Sequence, residues 1–191
     1  MGAVLDLYFM LYPPALITQE AARLLDAIDG SHEGVSKPMP PDRMHITLQA
    51  IDRYEQHLPV SALKKARTVG GMLDQVPFQV SLDLLQSHGS ESSLGTVELA
   101  GRGQGVQPLR QFHRNLLEAL QHAGFPENRI RKSFYPHVTL DYKHVPVGRR
   151  VVKPFAWRVT EFCLVVSHFG EGRHEILSSW QLRDRQASLF F

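Results

Sequence analysis

Two stretches of nearly the same sequence, "HITL" at 45–48 and "HVTL" at 137–140, carry the residue types best suited to chemistry. In a β-strand, successive side chains point to opposite faces, so each histidine shares a face with the threonine two positions later. Each stretch therefore predicts a half-buried strand that presents an imidazole and a hydroxyl. Random placement would give roughly 0.3 His-x-Thr triplets in this composition, so two of them favour a functional interpretation.

Two imidazoles and two hydroxyls suit the cleavage of a cyclic phosphodiester. An imidazole, whose pKa is near neutrality, can take a proton from the attacking oxygen or give one to the leaving oxygen. Threonine hydroxyls can donate hydrogen bonds to the non-bridging phosphate oxygens. The predicted catalytic residues are His45, Thr47, His137 and Thr139. The structural alternative, an edge-strand histidine hydrogen-bonded to its threonine, explains one such stretch better than two.

The elements that must position these residues alternate between strands and helices. Hydrophobic patterning predicts strands at 4–11, 43–51, 77–88, 94–100, 137–142, 155–168 and 174–182. It predicts helices from a cap at Thr18 to Ile28, from Val60 to Leu73 and from Gln107 to Ala123, with Gly124 as a C-terminal cap. Each half contains a helix and one His-x-Thr strand, which predicts an α+β protein of two similar lobes.

Composition limits the function class and the compartment. The chain has 191 residues, 43% of them hydrophobic, and a formal charge of +2, which is too weak a bias for sequence-independent binding to long nucleic acid. Cys163 is the single cysteine, so we expect a reducing, cytoplasmic setting. The apolar opening carries Asp6 and is stopped by Pro13 and Pro14, which predicts a strand rather than a signal peptide. We expect a monomer without a cofactor, a membrane span or an obligate protein partner.

Four segments together resemble the 2H phosphoesterase family, and within it the RNA 2′,3′-cyclic phosphodiesterases, also called 2′-5′ RNA ligase-like proteins. They are "LYFMLYPP" at 7–14, "MPPDRMHITL" at 39–48, "ALQHAGFPENRIRKSFYPHVTL" at 119–140 and "FCLVVSHFGEGRHEILSSWQL" at 162–182. The resemblance covers most of the chain. It implies one α+β domain over residues 1–191, in which two pseudo-twofold related lobes, each an antiparallel sheet flanked by helices, enclose a central groove with one motif from each lobe.

The resemblance also implies an activity, the metal-independent hydrolysis of a 2′,3′-cyclic phosphate on an RNA end or a small nucleotide. By that resemblance His137 is the base that activates water and His45 is the acid that protonates the leaving oxygen. The sequence departs from this branch after both motifs, where Gln49 and Asp141 stand in place of basic residues. These departures favour small substrates, such as nucleoside 2′,3′-cyclic phosphates or ADP-ribose cyclic phosphate, over RNA ends and RNA ligation.

The segment "RIRKSFY" at 129–135 is a candidate substrate rim beside the second motif. Arg131 could contact an anionic group, and Phe134 and Tyr135 could stack on a base. The alternative is a solvated basic turn with Phe134 in the core. The family's own aromatic residue coincides with Phe134, which favours the rim.

Two further interpretations stay open at this stage. A non-catalytic module that binds a nucleotide or an RNA end would keep the same fold and groove without turnover. A metal-dependent hydrolase would use the other histidines, but these form no H-E-x-x-H or H-x-H pattern, so we expect no metal site. The glycine-rich "GRGQG" at 101–105 lacks the Lys-Ser/Thr of a phosphate-binding loop and predicts a strand-to-helix turn instead.

Overall fold

A computed structural model describes residues 3–28, 37–88 and 94–183, which contain eight β-strands and three α-helices. The strands are β1 (Val4–Leu11), β2 (Ile46–Glu55), β3 (Phe78–His88), β4 (Gly95–Ala100), β5 (His137–His144), β6 (Arg150–Val159), β7 (Glu161–His168) and β8 (Arg173–Gln181). The helices are α1 (Ala15–Ile28), α2 (Val60–Met72) and α3 (Gln107–His122). Within these ranges, no helix is long and apolar enough to cross a bilayer.

The strands form two four-stranded antiparallel sheets, which confirms the predicted two-lobed α+β fold. The sheet of lobe A has the order β2-β1-β7-β8, and the sheet of lobe B has the order β5-β4-β3-β6. The two orders correspond strand by strand, because β2 and β5, the strands of the two His-x-Thr motifs, each occupy one edge beside β1 or β4. The motifs therefore have equivalent positions in the two lobes.

The lobes do not follow the two halves of the sequence. Lobe A combines the first two strands with the last two, and lobe B is built from the four strands between them. The predicted single strand over 155–168 is wrong, because β6 ends at Val159 and β7 begins at Glu161 in the other sheet. One short connection at Thr160 thus carries the chain from lobe B back to lobe A.

The larger of two hydrophobic clusters among the described residues draws on both sheets and on the helices. Its aromatic residues run from one lobe to the other: the Phe162 ring of β7 is 5.2 Å from that of Phe112 on α3, and Phe112 is 5.7 Å from Phe78 on β3. Because side chains alternate along a strand, β1 sends Leu7 and Phe9 into this core and leaves Tyr8 and Met10 on the opposite face.

The helix ends and the glycine-rich turn follow local chemistry. Thr18 is not the predicted cap, because α1 begins at Ala15 and the Thr18 hydroxyl donates to the Ala15 carbonyl at 3.1 Å inside the first turn. Gly124 does end α3, with φ of +71° and its N–H donating to the Gln121 carbonyl at 2.8 Å. The predicted turn at 101–105 is confirmed as a short 3₁₀ turn that leads from β4 into α3.

Candidate functional site

The two motif strands are joined by the chain that leads into the first motif. The Met39 N–H donates to the Leu140 carbonyl at 2.7 Å, and the Tyr142 N–H donates to the Lys37 carbonyl at 3.2 Å. The buried Asp141 carboxylate accepts from the Lys37 N–H at 3.0 Å. Residues 37–39 therefore run along the free edge of β5 before the chain enters β2, which ties the first motif to the strand of the second.

The two motif histidines make the same hydrogen bond. The His45 Nδ1–H donates to the Arg43 carbonyl at 2.7 Å, and the His137 Nδ1–H donates to the Tyr135 carbonyl at 2.8 Å, each partner lying two residues earlier. A carbonyl only accepts, so the proton of the neutral ring must be on Nδ1. Both rings therefore have Nε2 left over for proton transfer.

His45 lies in a tight aromatic setting. Its ring centroid is 4.9 Å from that of His174 in a T-shaped contact and 6.1 Å from that of Tyr12. Burial lowers the pKa of His45, and the nearby charges of His137 and Arg43 lower it further, although the bond to the Arg43 carbonyl acts in the opposite direction. His45 is thus the motif histidine whose pKa responds to the charge of the other.

A buried carboxylate lies beside His137. Glu98 of β4 stands opposite Thr139 in the β4–β5 ladder, and its Oε2 is 3.8 Å from Nε2 of His137. Its side chain is 4% exposed. Its Oε1 accepts from Nε2 of His88 at 2.8 Å and from the Gln86 amide at 3.2 Å. Glu98 therefore lies between the second motif and His88.

The pseudo-twofold relation breaks down at Glu98. The corresponding partner of Thr47 in the β1–β2 ladder is Met10, which forms a small apolar cluster with Cys163 and Val165. The ladder position opposite Thr47 thus carries an apolar side chain, whereas the position opposite Thr139 carries a carboxylate. The two histidines, equivalent by fold, have different electrostatic surroundings.

The structure places the three predicted rim residues in different surroundings. Phe134 stacks on His113 of α3, with ring centroids 4.2 Å apart, and packs on the main core. The Phe134 ring therefore contributes to packing, and its role in stacking on a base stays a prediction. The exposed Tyr135 instead stacks on His137 at 5.5 Å and hydrogen-bonds to Glu98. Arg131 is exposed, and its charge opposes the rise that burial causes in the pKa of Tyr8.

Four residues near the motifs were not predicted from the sequence as site residues: Glu98, His88, Tyr12 and His174. Glu98 had a signal, because it is a charged residue inside the otherwise apolar strand "LGTVELA". The others are brought to the site by strand register, which no local pattern encodes. In the described parts of the chain, no group of three or more His, Cys, Asp or Glu side chains is arranged to hold a metal ion.

Comparison with known proteins gives a family and a fold. The sequence model of the 2′-5′ RNA ligase superfamily matches residues 17–171. A search of curated proteins found no match. TT0787 of Thermus thermophilus is 22% identical with a TM-score of 0.73, and the match covers 94% of this chain and 99% of that one. E. coli LigT complexed with 3′-AMP is 22% identical with a TM-score of 0.68, and the match covers 95% of this chain and 99% of the LigT chain.

The family match spans more than half of the chain, and the two structures share the bilobal architecture. Both findings agree with the paired His-x-Thr strands. This chain belongs to the 2′-5′ RNA ligase superfamily, the 2H phosphoesterases.

Proposed function

We propose that this protein is a phosphodiesterase that hydrolyses 2′,3′-cyclic phosphates by two-histidine acid–base catalysis without a metal. The observation that carries the proposal is the matched pair of hydrogen bonds from His45 and His137 to carbonyls two residues earlier. This arrangement fixes two imidazoles in one tautomer and leaves both Nε2 atoms for the substrate. Thr47 and Thr139, two residues further along each strand, would donate hydrogen bonds to the non-bridging oxygens.

The surroundings of the two histidines support a division of their roles. We assign the base role to His45, because its lowered pKa favours an unprotonated Nε2 at neutral pH. His137 is then the acid, since the reaction needs one group of each kind. This assignment is the reverse of the one that the family resemblance implied. Its basis, the burial of His45, was not accessible from the motifs alone.

In the proposed reaction, a water oxygen attacks phosphorus while His45 takes a proton from that water. The bond from phosphorus to one ribose oxygen breaks, and His137 gives its proton to that oxygen. The products are a phosphomonoester and a free ribose hydroxyl. Proton exchange with solvent then returns both imidazoles to their starting states.

The likeness to solved structures supports a nucleotide substrate. LigT of E. coli has been crystallised with 3′-AMP and with phosphate. We extend this chemistry to the present chain and infer that its groove takes a nucleotide or RNA end whose phosphate lies between His45 and His137. Tyr135, exposed and stacked on His137, would have the base-stacking role that the sequence predicts for it.

The test is hydrolysis of 2′,3′-cyclic nucleotides, a cyclic-phosphate-ended RNA and ADP-ribose cyclic phosphate in excess chelator. His45→Ala and His137→Ala should each lower kcat/KM by at least about a hundredfold, the usual contribution of a general acid or base. A diester with a p-nitrophenolate leaving group should separate the roles. That leaving group needs no proton, so His137→Ala should lose much less activity on it than His45→Ala.

Other outcomes would point elsewhere. If none of the substrates turns over while nucleotides bind, the protein is a binding module on the same fold. If chelator abolishes the activity, the chemistry depends on a metal and the two-histidine proposal fails. An equal loss in both variants on the p-nitrophenyl ester would remove the acid–base assignment but leave the activity intact.

A further inference from the structure

A cavity of 440 Å³ lies beside the first motif. Its lining comes from three parts of the chain: Tyr12 after β1, Asp42 and Arg43 before β2, and Gly172, Arg173, His174 and Ile176 of the β7–β8 hairpin. Tyr12 and His174 are also the ring neighbours of His45. Two residues of the lining therefore lie against the imidazole of the first motif.

Among the residues that line this cavity, Arg43 has a guanidinium that is available to bind an anion. Its Nε is buried without a hydrogen-bond partner, and no salt bridge joins Arg43 to a carboxylate in the described part of the chain. Asp42 lines the same cavity but forms no ion pair with Arg43 among the described residues. A guanidinium that is partly removed from water without an anionic partner costs free energy, which an arriving anion would recover.

The second arginine of the cavity is already neutralised. The Arg173 guanidinium lies 3.4 Å from a Glu171 carboxylate oxygen and 3.8 Å from one of Glu175. It also contacts Nδ1 of His168 at 2.9 Å. Arg173 therefore adds little net positive charge, and Arg43 is left as the anion-binding group.

Two residues that line the cavity with Arg43 are neutral and polar. Burial lowers the pKa of His174 to about 4 and raises that of Tyr12 to about 12, and their side chains share a 3.1 Å hydrogen bond. The positive charge of Arg43 adds to the fall in the pKa of His174 and opposes the rise in that of Tyr12. Arg43 thus shares the cavity with two neutral hydrogen-bonding groups and with the exposed carboxylate of Asp42.

Gly172 makes room for the guanidinium. A Cβ atom at position 172 would lie 2.8 Å from Nη1 of Arg43, and the φ of +65° there also favours glycine. The turn between β7 and β8 therefore leaves at Gly172 the space that the end of the Arg43 side chain occupies. A planar guanidinium is suited to bidentate contact with a phosphate.

We propose that this cavity binds a second phosphate group of the substrate through Arg43, so that the preferred substrate is a cyclic phosphate carrying a further phosphate ester. The inference rests on the proposed function and specifies its substrate class. The second phosphate can belong to a phosphorylated mononucleotide or to the next linkage of an oligonucleotide. Arg43 precedes the first motif. It would supply the positive charge that the similar family has directly after this motif, where the present chain has Gln49.

The test compares three substrates: adenosine 2′,3′-cyclic phosphate, its 5′-phosphorylated form, and a dinucleotide that ends in a 2′,3′-cyclic phosphate. Wild type should show a kcat/KM about ten- to a hundredfold higher for one or both doubly phosphorylated substrates. Arg43→Gln should abolish this preference, and Arg43→Lys should keep part of it because a point charge remains. If the 5′-phosphorylated mononucleotide is favoured, the second phosphate belongs to a phosphorylated mononucleotide. If the dinucleotide is favoured, it belongs to the next linkage of an oligonucleotide.

Two other variants control for folding and for bulk charge. Gly172→Ala leaves Arg43 in the chain but displaces its guanidinium, so it should reduce the preference in the same direction. Arg114→Gln removes an exposed arginine of α3, away from the cavity, and should leave the preference unchanged. A wild type without a preference, or an Arg43→Gln protein that keeps it, would overturn the inference.

Binding separates a failure of the inference from a failure of the proposed function. If wild type hydrolyses none of the three substrates, the proposed function fails, and calorimetric titration still tests the cavity. Adenosine 2′,5′-bisphosphate should then bind about tenfold or more tightly than adenosine 2′-phosphate, and Arg43→Gln should remove the difference. Equal affinities in wild type would reject the phosphate site.

Discussion

Glu98 distinguishes two histidines that the fold makes equivalent. Both donate Nδ1–H to a carbonyl two residues earlier, so local geometry gives them the same chemistry. Only His137 has a buried carboxylate 3.8 Å from its Nε2. We regard Glu98 as a positioning residue that acts through His137. The Glu98 carboxylate is itself held by hydrogen bonds with the Tyr135 hydroxyl and the His88 ring.

Glu98→Gln should lower kcat/KM on cyclic phosphates much more than on the p-nitrophenyl ester. Glu98 lies beside the proposed acid His137, and the p-nitrophenolate leaving group needs no proton. The acid limb of the pH profile reports His45, whose pKa is lowered, so activity should persist below the ordinary histidine value of 6.5 and fall as His45 becomes protonated.

The measurement is kcat/KM of wild type and Glu98→Gln on both substrates. A carboxylate with only a structural role would reduce both rates equally, and that outcome would contradict the positioning role. Met10→Leu, a change at the corresponding position of lobe A, is the matched control and should leave the ratio of the two rates unchanged.

The histidine–threonine pairs could be predicted from the sequence because their geometry is local. Side chains alternate between the two faces of a strand, so the four-residue motif alone was sufficient to predict that His45 and Thr47 share a face. The Glu98 contact depends on the register between β4 and β5, and the His174 contact depends on a strand more than a hundred residues away. Neither has a short-range signal.

At the scale of elements, the edge of β5 connects the two motifs. Residues 37–39 lie along it before the first motif begins, and the Asp141 carboxylate accepts from both the Lys37 and the Lys143 N–H groups. Sequence patterning found most strands within a few residues. It merged β6 and β7, because a continuous run of apolar alternation gives no turn signal at Thr160 although the chain changes sheets there.

Asp141→Ala should lower the free energy of unfolding by about 1–3 kcal/mol, because two backbone N–H groups lose a buried acceptor. It should also reduce turnover, since the lead-in to His45 loses one of its anchors. Chemical denaturation and steady-state hydrolysis measure the two effects. Asp141→Asn keeps an acceptor oxygen and should recover much of both; if it behaved like Asp141→Ala, the carboxylate charge would be the feature that matters.

At the scale of the molecule, the two lobes share one hydrophobic cluster. Phe112 of α3 contacts Phe162 of lobe A and Phe78 of lobe B, so the core is continuous between the sheets. Each lobe also carries one of the two tryptophans: Trp180 lies on β8 and Trp157 on β6. The chain thus contains a natural fluorescent probe for each lobe.

Trp157→Phe and Trp180→Phe proteins should unfold with coincident fluorescence transitions in denaturant, because a shared core couples the lobes. Phe112→Ala should shift both transitions together, by about 3–5 kcal/mol, as expected for removing a buried aromatic ring. Circular dichroism provides the probe-independent reference. Separate midpoints for the two tryptophans would show that the lobes fold as independent units.

The return of the chain to lobe A sets when the first motif acquires its final surroundings during synthesis. The strands of both motifs leave the ribosome long before β7 and β8, which supply two of the four strands of the lobe A sheet. Until then β1 has an unpaired edge, and His45 lacks its neighbour His174. A nascent chain therefore carries both motif histidines before the lobe A sheet can close around the first of them.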